Sequence, residues 1–209
     1  MSAQEDTFIS HLVELRDRLL RAVVAIAVAF VCLMPWAGEI YDILAHPMMQ
    51  ALPEGTRMIA TGVVTPFFVP MKVTLLVAFV VALPFVLYQA WCFIAPGLYA
   101  HEKRLGLPLV IGSTILFLAG MAFCYFFVFG TVFKFIAQFA PKSITPAPDI
   151  EQYLAFVMSM FLAFGITFEV PVFVIVLVKL GVVDVPKLKE ARPYVIVGAF
   201  IVAAVVTPP

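Results

Sequence analysis

Long apolar runs separated by short polar stretches organise this chain. Five of them read as membrane spans, roughly 19–36, 70–92, 106–130, 151–178 and 193–206. Ahead of the first, Phe8, Leu12, Leu15 and Leu19 recur at helical spacing, widened by Ile9, Val13 and Leu20, while Ser10, Glu14, Asp17 and Arg21 line the opposite face. Residues 8–21 are thus predicted to form an amphipathic helix in the membrane interface that runs into span one, with Thr7 as N-cap. Glu14 and Arg18 are four apart and read as a weak exposed ion pair. The last span reaches only about 21 Å at 1.5 Å per residue, short of a roughly 30 Å hydrocarbon core. That predicts a locally thinned bilayer or a helix shielded by protein.

The polar stretches carry their own predictions. Residues 37–69 form the longest loop, on the outer face: a short helix turned at Pro47, a turn at LPEGTR, then extended chain through MIATGVVTPFF. A loop of this length suits a lid. Span two is bracketed by Pro66 and Pro70 and interrupted by Pro84, and an inner loop, FIAPGLYAHEKR, turns at Pro96-Gly97. Residues 131–140 extend span three beyond the membrane, and Asp149 is placed to cap the fourth span.

That fourth span, residues 151–178, holds Glu169 with Pro171 two residues on. An acid at that depth costs about 2.5–3.5 kcal/mol on insertion scales, so it must face protein or water. Pro171 removes an N–H, frees the carbonyl of Thr167 and predicts a bend. Two roles suit Glu169: a protonated structural tie within the bundle, or a part in substrate passage or proton coupling.

Composition agrees with the pattern. With 64% hydrophobic residues, 12% charged and a mean hydropathy of +1.09, residues 1–209 make one integral, all-α membrane domain rather than a water-soluble one. The net charge of zero hides an asymmetry. Of 13 Lys and Arg, all but Arg57, Lys72, Lys134 and Lys142 fall on the side of the N-terminus, which predicts a cytoplasmic N-terminus. No cleavage site precedes span one, so targeting by an uncleaved first helix is expected. Cys32, Cys92 and Cys124 fall within spans and read as free, buried and inert. His11, His46 and His101 are assigned to loops, and none has metal-ligand spacing, so no metal or other cofactor is expected. Neither a phosphate-binding glycine loop nor a G-x-S-x-G occurs, which argues against an ATPase and an intramembrane serine protease and leaves no enzyme expected.

Four motifs in order, HLVELRDRLL at 11–20, FIAPGLYAHEKR at 93–104, FEVP at 168–171 and RPYVIVGAF…TPP at 192–209, together resemble TatC, the multispanning subunit of the twin-arginine protein translocase, in its Gram-negative form. The resemblance implies a polytopic, glove-shaped bundle of kinked helices in the bacterial inner membrane. It implies a receptor for twin-arginine signal peptides that exports folded proteins on the proton-motive force. Its partners would be the single-span subunits TatA and TatB, further copies of itself and membrane lipid, with no nucleic acid. Glu14 and Glu102 fall where the family binds the paired arginines, Phe93 at a position joined to the same function, Pro47 at a functional outer-loop position and Glu169 at the intramembrane acid. The charge asymmetry puts Glu14 and Glu102 on one side, and two carboxylates each suit a planar guanidinium. Family members continue past TPP with an acidic residue and a sixth helix, so a sixth span is expected beyond the five read here. The alternative is a proton-coupled small-solute transporter with Glu169 as its site; a five-span pattern lacking inverted repeats weighs against it.

Overall fold

The computed structural model describes residues 2–52, 56–94, 106–139, 147–179, 181 and 183–206, with side chains from Ile9 onward. The first element, α1 (Ser2–Leu33), is unbroken. No glycine or proline lies between Thr7 and Leu33, so nothing stops helix propagation. The amphipathic lead-in and first span are therefore one helix, and Thr7 lies inside it rather than at its cap. A 3₁₀ turn over Met34–Trp36, opened by Pro35, passes into α2 (Ala37–Ala51).

The expected turn at Pro47 is absent, and α2 continues through it. Proline costs a helix one hydrogen bond, to the carbonyl four residues back. That carbonyl, Ile43, instead accepts the Tyr125 hydroxyl at 2.8 Å, and the next, Leu44, accepts the buried Tyr153 hydroxyl at 2.7 Å. Likewise α3 (Thr65–Ile94) runs through Pro70 and Pro84, with Pro66 in its first turn. In the segment before α3, Ile59 bridges Asp149.

Beyond the inner loop, α4 (Gly106–Phe123), a π-helical stretch (Cys124–Phe129) and α5 (Gly130–Phe139) follow one another without a break, giving the extension predicted past span three. Asp149 then caps α6 (Ile150–Lys179) as expected: Oδ1 accepts the N–H groups of Glu151 and Gln152 at 2.8 and 3.1 Å. Its other oxygen takes the backbone N–H and hydroxyl of Thr61 at 3.1 and 2.8 Å, tying the segment before α3 to the start of α6. Pro171 lies within α6 without interrupting it. A short α7 (Val185–Glu190) leads to α8 (Arg192–Val206).

Among the described residues four helices, over Ile9–Ala51, Thr65–Phe93, Gly106–Phe139 and Ile150–Lys179, are long and apolar enough to cross a membrane, and α8 is a shorter apolar helix. The main pairings are α1 on α3, α4 on α6, and α3 on both α4 and α2. The largest buried cluster joins Leu44, Val69, Val73, Phe129, Tyr153 and Val157, where α2 meets α3, α6 and the π-helical stretch. Elsewhere large apolar side chains face outward, as a bundle dissolved in lipid allows. Without a hydrophobic drive between helices, close packing must hold them, and small residues permit it. A Cβ on Gly120 would lie 2.6 Å from the Phe164 carbonyl oxygen, and one on Gly165 2.6 Å from the Phe117 ring. The two glycines thus let α4 and α6 cross backbone to side chain.

Two smaller expectations change. Of the three free cysteines only Cys124 is buried; Cys92 is half-buried and Cys32 exposed. His11 and His46 lie on α1 and α2 rather than in loops, while His101 lies outside the described residues.

Candidate functional site

The polar face of α1 meets the far end of α3. His11 stacks on Phe93 with ring centroids 4.3 Å apart and planes 20° from parallel. One turn on, Glu14 accepts both Nε (3.0 Å) and Nη2 (2.5 Å) of Arg18 on a single oxygen, Oε1. Arg18 in turn reaches Cys92, which also contacts Tyr88. A recess of ≈ 320 Å³ opens along this face, lined by Ser10, Val13, Glu14, Asp17, Arg18 and Arg21. The structure thus brings Glu14 and Phe93, far apart in sequence, to one helix junction. Glu102 lies outside the described residues.

Converging both donors on Oε1 is a one-sided pairing rather than a two-pronged fork, and Oε2 takes no part in it. The two side chains retain 34% and 22% exposure. An accessible pair of this kind contributes roughly 0–1 kcal/mol, whereas hydrogen bonds to charged groups are worth about 1.5–3 kcal/mol each. Arg18 therefore holds Glu14 in place without barring a competing guanidinium from it.

Glu169 occupies a second, separate location. It is buried at 8% exposure, and its Oε1 has no hydrogen-bond partner. It lines a mostly apolar recess of ≈ 160 Å³ with Trp91 of α3, Val110 and Ser113 of α4, and Val172 and Phe173 of its own helix. Ser113 is close enough to interact with the carboxyl group. A buried carboxyl oxygen without a partner costs the full desolvation of that group. Pro47 lies at the opposite end of the bundle, in α2, beside Tyr125 and Lys134.

The family of Sec-independent protein translocase proteins, TatC, matches residues 10–209 of this sequence. The chain belongs to the TatC family. TatC of Escherichia coli strain K12 is 48% identical over 207 residues, which are 98% of this chain and 80% of that one. TatC of Azotobacter chroococcum is 50% identical, covering 100% of this chain and 82% of that one. Two crystal structures described as the twin arginine translocase receptor TatC superpose with TM-scores of 0.82 and 0.84, at 38% and 37% identity, over 95% of this chain and 88% and 89% of theirs. TatC membership makes this a protein-translocase component and leaves the small-solute reading of Glu169 without support.

From sequence His11 reads as a loop residue and Cys92 as buried and inert, and no motif points to Ser113. Ser113, one of two adjacent hydroxyl residues in an apolar span, does carry a usable signal; the His11–Phe93 stack depends on α1 docking against α3 and carries none.

Proposed function

We propose that the chain is the receptor for twin-arginine signal peptides in a Tat translocase, exporting folded proteins across the bacterial inner membrane on the proton-motive force. The observation that carries this reading is that Phe93 stacks on His11 of α1, the helix whose next turn presents Glu14. A guanidinium of the signal takes Glu14 from Arg18, exchanging one arginine for another at little net cost. Phe93, stacked on His11, gives the same junction an apolar surface for the residues that follow the arginines. Glu102 supplies the second carboxylate, from the loop after α3, on the cytoplasmic side with the N-terminus.

Glu169 serves passage or proton coupling rather than recognition, since its recess is lined from α3, α4 and α6 and includes no residue of α1. Pro47 serves by shaping the outer face. TatA and TatB act as partners, and copies of the chain associate with one another.

The test is photo-crosslinking of a twin-arginine signal peptide to inverted membrane vesicles bearing Glu14→Gln or Glu102→Gln. Both variants lose crosslinking, and a Lys-Lys signal is already poor with the parent. Undiminished crosslinking in both variants would remove the receptor role from these carboxylates.

A further inference from the structure

Two recesses adjoin where α2 ends and the π-helical stretch passes into α5. One, of ≈ 300 Å³, includes His46, Gln50 and Tyr125; the other, of ≈ 430 Å³, includes Phe127, Thr131 and Phe135. They share Phe126, Gly130 and Lys134, so the lysine stands on the ridge between them. Neither is lined by a carboxylate, and among the described residues none pairs with Lys134. By contrast Lys72, on α3, pairs with Glu151 at 2.9 Å. Around Lys134 the surface is aromatic and outward-facing: Phe126, Phe127 and Phe135 are 73%, 66% and 58% exposed.

Depth fits as well. From Gly106 to Lys134 the chain advances about 42 Å at 1.5 Å per residue, against about 40–45 Å for a bilayer with its headgroups. The cation therefore lies at headgroup level while the rings below it meet acyl chains. A cation with no counter-ion among the described residues, with His46 and Gln50 in one recess, Thr131 and Gln138 in the other and exposed aromatic rings along both, describes an anionic, amphipathic ligand.

We propose that this ridge binds the headgroup of an anionic phospholipid. Lys134 meets the phosphodiester, the His46–Gln50 pair, whose side-chain nitrogens lie 3.4 Å apart, offers polar contacts beside it, and Phe126 and Phe127 hold the chains. Basic recesses between membrane helices suit such headgroups, with each Lys near the surface contributing in proportion to local charge. A soluble phosphate would make no use of the rings. The proposal does not depend on signal-peptide binding or on which leaflet this end faces.

The test uses the full chain in mixed micelles containing either phosphatidylglycerol or phosphatidylethanolamine, with retained lipid counted by native mass spectrometry. The parent retains phosphatidylglycerol in preference. Lys134→Gln raises the half-saturating phosphatidylglycerol content about five-fold, the factor for one surface lysine. Lys134→Arg and Lys72→Gln leave it unchanged, and inorganic phosphate does not displace the lipid. Equal retention of the two lipids, an unchanged Lys134→Gln, or displacement by inorganic phosphate would each overturn the proposal.

Discussion

The hydroxyl of Tyr125 donates to the carbonyl of Ile43, the one acceptor in α2 that Pro47 leaves without a helical donor. A side chain thereby replaces a backbone hydrogen bond, and the replacement joins two helices that would otherwise only touch. Tyr125→Phe should destabilise the protein by about 1 kcal/mol, at the low end of the cost of an unmet acceptor because this end of α2 is partly exposed. In a Pro47→Ala background the backbone N–H returns and Tyr125→Phe should cost little. Thermal unfolding of the two single variants and the double variant in detergent measures that coupling. Additive losses would mean that the phenol does not compensate the proline.

The α4–α6 crossing makes a ranked prediction. At Gly120 an added Cβ meets a backbone carbonyl, which cannot move without the helix, whereas at Gly165 it meets the Phe117 ring. Gly120→Ala should therefore cost about 1–3 kcal/mol, the usual range for overpacking, and Gly165→Ala less. Gly112, with open space at its Cβ position, is the control: Gly112→Ala should be neutral or stabilising. Melting temperatures of the three variants test the order.

Asp149 predicts acid sensitivity where α6 begins. The Thr61 hydroxyl first, then the N–H of Gln152, and with them the N–H groups of Thr61 and Glu151, hold its carboxyl below the usual 3.8. Folding thus favours the ionised form, so this contribution is fully present above about pH 4 and is lost as pH falls through the depressed value. Asp149→Asn should lower stability at pH 7 and flatten the fall below about pH 4, followed by unfolding at stepped pH. An unaltered acid limb would assign that fall to other groups.

Arg18 should act as a weak competitor for Glu14. Arg18→Gln is expected to raise crosslinking of a twin-arginine signal by up to about five-fold, the range of an accessible ion pair. Lost crosslinking would instead make Arg18 part of what holds the signal.

Glu169→Gln should leave signal crosslinking intact while export falls, since its recess is separate from the α1–α3 junction. Export of a folded twin-arginine cargo from intact cells measures this. Full export would make the ionisable group dispensable and leave Glu169 a structural tie.

The apolar runs gave the helices directly because lipid demands them, and Asp149 was legible as a cap because its side chain answers a local need at the start of α6. Glu169 stood out for its cost in an apolar segment. Prolines misled for a reason that can be stated: Pro47 predicts a turn only if nothing serves the orphaned carbonyl, and the donor comes from a residue 82 positions away in sequence. Local reading has no access to such a partner. The junction of Glu14 with Phe93 was hidden in the same way, since it depends on docking between α1 and α3, and amphipathic spacing alone describes the face without naming what it meets.

The six residues Cys124–Phe129 wind more widely than the helices on either side. Each widened turn delays the angular phase of everything after it, so α5 is clocked independently of α4. Wound as plain α-helix, the same six residues would turn Lys134 forward by roughly a quarter turn or more from its present bearing, while leaving the glycine crossing below undisturbed. The two ends of one membrane-crossing rod can in this way be aimed separately.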